Sequence, residues 1–227
     1  MPKSIMIFTA GKGTRMLPLT ETLPKPMILV NGKPLADYAF ALAQDENLQT
    51  VMNLHYLPDS IVQHFGPKGV QFSNEKSQLL ETGGGLRKAL PILQNAPVFT
   101  LNSDAIWSGP NPLTLLRKAW NPTQMDALLM LVPLTQSLGH HGSGDFSADQ
   151  NGQLTRGGAL LYTGAQIIKT ERLAEISESA FSLNLYWNLL MQSGRVFGVT
   201  YSGKWCDVGQ PSSVPIAESL LNRAHDV

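Results

Sequence analysis

A glycine-rich loop directly after an apolar segment at the N-terminus constrains this chain more than any other feature. The run from Ile5 to Thr9 is typical of a buried β-strand, and Ala10, Gly11 and Gly13 follow it at once. Small residues let backbone N–H groups approach an anion closely, and an open group of such donors binds phosphate. The sequence therefore predicts a strand followed by an anion-binding loop.

Two cationic side chains follow within a short stretch. Thr14 and Arg15 continue the loop, and Lys25 lies in a Pro-Lys-Pro segment at residues 24–26. Arg15 and Lys25 can neutralise the charge of an anion held by the backbone. An ordinary turn between a strand and a helix would account for the glycines but for neither cation, so we interpret the region as a nucleoside triphosphate site.

Two common glycine-rich motifs are absent from the sequence. A Walker A loop needs Gly-x-x-x-x-Gly-Lys-Ser/Thr, which no window supplies. A dinucleotide-binding loop needs a third glycine where Met16 stands. The loop must therefore belong to another class of nucleotide-binding protein.

Composition and charge favour a neutral enzyme of one domain. The chain has 227 residues, with 17 basic and 17 acidic side chains, so we expect a single domain over residues 1–227 that binds neither nucleic acid nor a membrane surface. One cysteine, Cys206, excludes an intrachain disulfide, and no apolar run approaches the ~20 residues of a membrane-spanning helix. We expect a cytoplasmic monomer or small homo-oligomer.

Strand-like and helix-like segments alternate along the chain. This alternation predicts a Rossmann-like α/β fold of three layers, with helices on both faces of a mixed, mostly parallel sheet. The predicted strands are Ile5–Thr9, Val51–Leu54, Val70–Ser73, Val98–Leu101, Ala127–Val132, Ala159–Tyr162 and Val196–Thr200. The predicted helices are Leu35–Gln44, Ser60–Phe65, Gly85–Leu93, Leu113–Trp120, Leu183–Gln192 and Ser213–Arg223. Residues 137–152 are rich in Gly, Ser and Asp and are predicted to form a long loop.

Two aspartates stand shortly after predicted strands. Asp104 and Asp207 would lie at the carboxyl edge of the sheet, where ligands bind in such folds. Mg²⁺ typically takes one or two carboxylates together with phosphate oxygens, so the pair predicts a magnesium site if the fold brings them together. Taken singly, Asp104 could instead cap a helix and Asp207 could stabilise a turn. For the adjacent His140 and His141, we favour a loop role or a substrate contact over a metal site.

A third segment, Glu81-Thr82-Gly83-Gly84-Gly85, follows Glu75. Its glycines would let backbone groups reach the edge of a nucleobase, and Glu75 or Thr82 could add hydrogen bonds there. A helix that begins here, capped by Glu81 or Thr82, is compatible with the same residues.

Together these segments resemble the sugar-1-phosphate nucleotidyltransferase family. Residues 11–16 and 24–26 are similar to its signature Gly-x-Gly-Thr-Arg-Met … Pro-Lys-Pro, and residues 102–104 and 205–209 resemble its two metal-binding segments, Asn-x-Asp and Trp-x-Asp-Val-Gly. The resemblance covers nearly the whole chain. It implies transfer of a nucleotidyl group from a nucleoside triphosphate to a sugar 1-phosphate, with Mg²⁺ as the cofactor.

Two further segments resemble one branch of that family, which transfers uridylyl groups to N-acetylmuramic acid 1-phosphate in peptidoglycan recycling. They are Leu-Glu-Thr-Gly-Gly-Gly at 80–85 and the loop at 139–146. UTP and N-acetylmuramic acid 1-phosphate are therefore the expected substrates. The alternatives are a guanylyl- or thymidylyltransferase acting on mannose or glucose 1-phosphate, and a non-catalytic regulatory protein that binds nucleotide sugars.

The resemblance also implies a role for each candidate residue. Arg15 would hold the β- and γ-phosphates and Lys25 the α-phosphate, which makes both catalytic. The residues expected to contact the nucleotide are Ala10, Gly11, Gly13, Thr14, Arg15, Lys25, Glu75, Thr82, Gly83 and Asn102. The expected metal ligands are Asp104 and Asp207, and the expected sugar contacts are Asp145 and Gly158.

Three departures from the family pattern stand out. Leu17 occupies a position where many relatives carry a second arginine, and Thr9 places an unusual hydroxyl near the nucleotide. The Glu-Lys-Pro segment with which many relatives bind the sugar and the acceptor phosphate is not visible. Candidate cations for that phosphate are Arg156, Lys169 and Lys204.

Overall fold

A computed structural model describes residues 1–94 and 97–225, in which strands and helices alternate closely. The strands are β1 (Ser4–Phe8), β2 (Leu29–Val30), β3 (Lys33–Pro34), β4 (Gln49–Leu54), β5 (Gln71–Asn74), β6 (Val98–Asn102), β7 (Ala105–Ser108), β8 (Ala127–Pro133), β9 (Ser137–Leu138), β10 (Phe146–Ala148), β11 (Leu154–Arg156), β12 (Leu160–Ile168), β13 (Val196–Thr200) and β14 (Lys204–Asp207). The helices are α1 (Leu35–Asp45), α2 (Pro58–Phe65), α3 (Glu81–Leu93), α4 (Pro112–Ala119), α5 (Leu183–Met191) and α6 (Ser213–His225).

The main sheet has the strand order β5–β4–β1–β6–β12–β8–β13. Neighbouring strands are parallel except at β12, which runs antiparallel to both β6 and β8. The β10–β11 hairpin joins the sheet at the start of β12, where Phe146 pairs with Leu160. This is the mixed, mostly parallel sheet that the alternating sequence pattern predicts.

Helices cover both faces of the sheet because its strands are apolar on both sides. Ile5 and Ile7 of β1 belong to the core that includes α1, α2 and α4, whereas Met6 between them belongs to the core that includes α3 and α5. Successive side chains of a strand point to opposite faces, and a largely parallel sheet buried on both faces needs apolar residues throughout. The prediction of a three-layer α/β fold is confirmed.

A second sheet, with the order β7–β14–β9, packs against α6. Met16, Ile106, Cys206 and Val208 form part of a separate apolar cluster there. Met16 is fully buried, so this cluster anchors the end of the glycine-rich loop. Burial also raises the pKa of the Cys206 thiol to about 12, which suits a packing role rather than a nucleophilic one.

All six predicted helices are present, but α3 begins earlier than expected. The prediction started this helix at Gly85, whereas it starts at Glu81. Glycine is a poor helix former, but the amides of Gly83 and Gly84 donate to the carbonyl of Phe181 at 2.8 and 3.1 Å. A tertiary contact therefore stabilises the first turn. Within the described ranges, no helix is both long enough and apolar enough to cross a membrane.

The second half of the chain contains more strand than predicted. The strand predicted at 159–162 continues as β12 to Ile168, through an irregularity of pairing that includes Gly164 at φ +92°. Residues 137–152, predicted to form a long loop, contain β9 and β10, so that prediction is wrong. β9 pairs with the distant β14 and is too short to produce a periodic pattern.

Candidate active site

A cleft opens at the carboxyl ends of β1, β4 and β6, the edge where ligands bind in such sheets. A smaller depression adjoins it on the side of α5, and Thr82 and Asn102 border both. The residues that line the cleft are Phe8, Thr9, Ala10, Gly11, Lys25, Pro26, Asn53, Leu79, Glu81, Thr82, Asn102, Ser103 and Asp104. The residues that line the depression are Thr82, Asn102, Asp145, Tyr162, Ser182, Leu183, Asn184 and Trp187.

The glycine-rich loop forms one wall of the cleft. Gly13 has φ +64°, and a Cβ at this position would lie 2.9 Å from Lys25 Cβ and 3.0 Å from Thr20 Cγ2. Thr20 Oγ1 donates to the Gly13 carbonyl at 2.9 Å. Only glycine therefore allows the loop to pack so closely on the Pro-Lys-Pro segment. Gly11 is exposed and a Cβ there would meet no atom within 4 Å, so its backbone stays open to a ligand.

Thr14 and Arg15 form a short 3-10 turn with Met16 after the loop. Both side chains are exposed, while Met16 beneath them is buried. The buried Met16 therefore anchors the turn, and the exposed Arg15 guanidinium is accessible to an anion. Leu17, where many relatives carry arginine, is 52% exposed and adds no charge.

Lys25 pairs directly with Asp104 across the cleft. Lys25 Nζ lies 2.5 Å from Asp104 Oδ2, and the two side chains are 13% and 25% exposed. Pro26, which follows Lys25 in a 3-10 turn, is buried and fixes the backbone beside the cleft. The predicted catalytic cation and the predicted metal ligand are thus in contact.

The pairing of β7 with β14 brings the two aspartates to one edge. Ala105, which follows Asp104, stands opposite Asp207 in the antiparallel register. The Val208 amide donates to the Asp104 carbonyl at 2.8 Å. The alternative use of Asp104 as a helix cap is wrong, because a strand and not a helix follows it.

The electrostatics of this edge suit a divalent cation. Burial raises the pKa of Asp207, and the nearby Asp104 carboxylate raises it further, while Lys25, Arg15 and His140 act in the opposite direction. Two carboxylates that repel each other in a partly buried site are hard oxygen donors of the kind Mg²⁺ accepts. Among the described residues, no cluster of three or more His, Cys, Asp or Glu could hold a metal alone. A bound Mg²⁺ would therefore need phosphate oxygens as further ligands.

His140 lies beside this edge, although the sequence did not predict that it would lie close to Asp207. Its Nδ1 atom is 3.9 Å from Asp207 Oδ2, whereas the neighbouring His141 is exposed. Gly139, at φ +71°, makes the turn, and its carbonyl accepts from Ser213 Oγ at 3.3 Å. The 139–146 loop therefore reaches the predicted metal site only because the fold ties it to α6.

Glu75 does not occupy the place expected of a nucleobase contact. It is fully buried and does not line the cleft. Its carboxylate accepts from Asn53 Nδ2 at 2.7 Å and from the Leu80 amide at 3.0 Å. A Cβ on Gly85 would lie 2.6 Å from Glu75 Oε1, so α3 packs directly on this carboxylate. In this structure Glu75 therefore supports the wall of the cleft from behind, and its contact with a nucleobase stays a prediction.

Asn53 is a cleft residue that the sequence reasoning missed. The Thr9 amide donates to Asn53 Oδ1 at 2.8 Å, and Thr9 Oγ1 donates to the Asn53 carbonyl at 2.5 Å. The unusual hydroxyl of Thr9 thus joins β1 to β4 by its hydrogen bond to residue 53. A signal for Asn53 was available, because an asparagine in the otherwise apolar predicted strand Val51–Leu54 needs partners when it is buried.

The start of α3 holds a second predicted nucleotide contact, Gly83. Gly83 does not line the cleft, and a Cβ there would lie 2.3 Å from the Phe181 ring. Its amide is bonded to the Phe181 carbonyl, so in this structure Gly83 packs on residue 181, and its contact with a nucleotide stays a prediction. Thr82 does line the cleft, and its Oγ1 accepts from the Leu183 amide at 2.9 Å.

The two predicted sugar contacts have different surroundings. Asp145 lines the depression, and its Oδ2 accepts from the Tyr162 amide at 2.9 Å. Gly158, at φ +120°, packs against β10, where a Cβ would collide with Ser147 Oγ and the Phe146 carbonyl. It does not line the depression, so in this structure it allows close packing on the hairpin, and its contact with a sugar stays a prediction.

One candidate for the acceptor phosphate is excluded by its position. Lys169 follows β12 and pairs with Asp126 at 2.8 Å, at the start of β8. This is the sheet edge opposite the cleft, since Asp104 and Asn102 lie at the other ends of the strands. Lys204 is exposed on β14, and Arg156 lies near the depression.

Comparisons with known proteins agree with this geometry. The profile of the Nucleotidyl transferase family matches residues 4–222. The chain is 38% identical to an N-acetylmuramate alpha-1-phosphate uridylyltransferase of Caulobacter vibrioides, over 98% of each chain. It is 30% identical to the protein of that name from Neisseria meningitidis, over 95% of this chain and 96% of the relative. The solved inositol-1-phosphate CTP transferase of T. maritima has the same fold, with a TM-score of 0.80, 12% identity and coverage of 99% and 97% of the two chains. The chain belongs to the Nucleotidyl transferase family.

Proposed function

We propose that this protein transfers a uridylyl group from UTP to N-acetylmuramic acid 1-phosphate and releases pyrophosphate, as a step of peptidoglycan recycling. The observation that carries the proposal is a cleft lined by the open glycine-rich loop and the Lys25–Asp104 pair, with Asp207 beside Asp104 through the pairing of β14 with β7. The two curated relatives described above are named for this reaction. Because UTP is an intracellular metabolite, we place the reaction in the cytoplasm.

The glycine-rich loop is the proposed phosphate cradle. Gly11, Gly13 and Thr14 offer backbone N–H groups, and Arg15 adds a mobile cation for the β- and γ-phosphates. Charge held on these two phosphates makes pyrophosphate a better leaving group. Lys25, whose segment packs against this loop, serves the α-phosphate.

Asp104 and Asp207 would hold Mg²⁺ at the end of the cleft. When bound there, Mg²⁺ supplies positive charge to phosphate oxygens of both substrates. Lys25 has a second task in this arrangement, because its ammonium neutralises Asp104 until substrate and metal arrive. Lys25 can then turn from the carboxylate to the transferring phosphate.

The chemistry needs alignment and charge stabilisation more than proton transfer. An oxygen of the sugar phosphate forms a bond to the α-phosphorus of UTP, and the bond from that phosphorus to the bridging oxygen of pyrophosphate breaks. The attacking oxygen is already anionic, so no strong general base is required. The residues on the cleft walls orient the two phosphates in line and stabilise the charge of the transition state.

The test is pyrophosphate release with and without Mg²⁺. UTP, GTP, dTTP, CTP and ATP are each paired with N-acetylmuramic acid 1-phosphate, N-acetylglucosamine 1-phosphate, mannose 1-phosphate and glucose 1-phosphate. Turnover that depends on Mg²⁺ and is fastest with UTP and N-acetylmuramic acid 1-phosphate is expected. If turnover is fastest with another nucleotide and sugar phosphate, the proposed substrates are wrong and the protein is, for example, a guanylyl- or thymidylyltransferase. Nucleotide binding without any turnover would favour the regulatory alternative.

A further inference from the structure

Arg156 lies beside the depression and contacts two of its lining residues, Asn184 and Trp187. It is the last residue of β11 and pairs with Phe146 of β10 in the hairpin. Its guanidinium carbon lies 4.9 Å from the centre of the Phe146 ring and 5.6 Å from that of Trp187. Trp187 itself lines the depression. A cation stacked on two aromatic rings in this way is held in place at the rim of a site.

Two asparagines of α5 orient the guanidinium. Nε donates to Asn188 Oδ1, Nη1 donates to Asn184 Oδ1 and Nη2 donates to the Asn184 carbonyl, each at 2.9 Å. A guanidinium has five N–H donors, and these bonds use three of them. These three hydrogen-bond partners are neutral amide and carbonyl groups, so no carboxylate is bonded to the guanidinium, and one N–H on each terminal nitrogen remains for a ligand. Such a pair of donors suits a carboxylate or a phosphate.

The position of Arg156 separates it from the phosphate chemistry. The cations that act on the pKa of Asp207 are Lys25, Arg15 and His140. Arg156 instead interacts with Asp145, which lines the depression, whereas neither of the predicted metal ligands Asp104 and Asp207 lines it. An anion at Arg156 would therefore belong to the part of the acceptor that is remote from its reacting phosphate.

We propose that Arg156 binds a carboxylate carried by the acceptor sugar and thereby selects an acidic sugar 1-phosphate over its neutral analogue. The inference rests on the proposed function and deepens it. N-acetylmuramic acid differs from N-acetylglucosamine by a lactyl ether that ends in a carboxylate, and this is the group that Arg156 recognises. Asp145 and Asn184, which share the depression, remain for hydroxyl and amide groups of the sugar.

The test compares two acceptors that differ only in the lactyl ether. Initial rates with UTP and Mg²⁺ are measured for N-acetylmuramic acid 1-phosphate and for N-acetylglucosamine 1-phosphate, in the wild type, Arg156→Met and Arg156→Lys. Arg156→Met keeps an unbranched apolar side chain beside Phe146 but removes the charge and the N–H donors. We expect it to lower kcat/KM for the acidic sugar by about 10- to 100-fold, mainly through KM, because that is the contribution of a charged hydrogen-bond pair. The neutral sugar should change by less than about twofold, and Arg156→Lys should restore part of the loss.

A matched control is Arg172→Met, since Arg172 is an arginine that pairs with Glu175 on the surface. It should change neither acceptor. An equal loss on both acceptors with Arg156→Met would mean a structural role and would overturn the proposal, as would no loss on either. Isothermal titration of both sugar phosphates, with Mg²⁺ and a non-hydrolysable UTP analogue, distinguishes failure of the proposed substrate from failure of the Arg156 assignment. A wild type that neither turns over nor binds the acidic sugar overturns the substrate and the Arg156 assignment together, whereas turnover without discrimination by Arg156 overturns the latter alone.

Discussion

The two sides of the cleft are built on different principles. The phosphate side consists of the glycine-rich loop and the Lys25–Asp104 pair, so its functional groups come from short contiguous segments next to strand ends. The acceptor side joins a hairpin, one strand and the first turn of α5, and its polar groups are brought together only by long-range packing. On the proposed function, charge on the phosphate side serves any sugar 1-phosphate, whereas the acceptor side distinguishes one sugar from another.

This contrast predicts that changes on the phosphate side reduce turnover with every acceptor. The largest effect is expected for Asp104→Ala, which removes one of the two carboxylates and leaves Lys25 without its partner. We expect kcat to fall by roughly 10³-fold or more with both acceptor sugars, because metal-bound charge contributes several kcal/mol to such transition states. Circular dichroism should show an intact fold. Asp59→Ala, at an exposed carboxylate in the first turn of α2, is the control. Near-wild-type turnover of Asp104→Ala would remove Asp104 from the metal site.

Lys25→Ala tests the other member of the pair. We expect kcat/KM to fall by about 10²- to 10³-fold with each acceptor, which is typical for loss of one preorganised charge at a transferring group. Steady-state kinetics measure the loss, and Lys88→Ala, at an exposed lysine of α3, should leave the rates unchanged. A loss restricted to one acceptor would mean that Lys25 acts on the acceptor sugar and not on the phosphate common to both substrates.

Gly85→Ala tests whether the cleft wall formed by the start of α3 depends on its packing against Glu75 behind the cleft. A Cβ at Gly85 would lie 2.6 Å from Glu75 Oε1 and 3.1 Å from Asn53 Nδ2. We expect the free energy of unfolding to fall by about 1–3 kcal/mol, the usual cost of overpacking, with a higher KM for UTP and little change in KM for the sugar. Urea denaturation and kinetics measure both. Gly66→Ala, where the nearest atom to a Cβ is 3.9 Å away, is the matched control, and an unchanged Gly85 variant would show that α3 can shift without consequence.

The smallest effect is expected outside the cleft. Burial alone would raise the pKa of Asp37, but hydrogen bonds from Lys68 and His64 lower it below the usual 3.8. Because the folded-state pKa is lowered, the stabilisation is fully present well above pH 3.8 and is lost as the pH falls through the lowered value.

Asp37→Asn should therefore reduce the free energy of unfolding at neutral pH by on the order of 1 kcal/mol, and the difference from the wild type should shrink toward pH 3. Urea denaturation between pH 3 and pH 7 measures it, with Asp45→Asn, at an exposed carboxylate of the same helix, for comparison. A difference that does not depend on pH would contradict the ion-pair account. Transferase activity at neutral pH should not change, because Asp37 lies outside both walls of the cleft.

Short sequence patterns correctly indicated those cleft residues that lie within a single strand end or loop. Gly11, Gly13, Lys25, Asn102 and Asp104 all lie in or just after segments whose strand or loop character is visible in the sequence, and the structure brings them to one cleft or its rim. Glu75, Gly83 and Gly158, also predicted to contact ligands, do not line the cleft or the depression. A neighbour from another segment of the chain already uses the polar atoms of each residue or fills the space beside it.

Alternating apolar segments were enough to specify three layers and a mostly parallel sheet, because strands buried on both faces and helices with one apolar face have few other ways to exclude water. The loop chemistry after β1 was equally visible, since backbone N–H groups and nearby cations act over a few residues. Tertiary structure alone decided that Asn53 faces the cleft, that His140 stands beside Asp207 and that Arg156 lies over Trp187. Those contacts join residues far apart in the chain, and their register depends on how whole strands and helices pack rather than on any short run of residues.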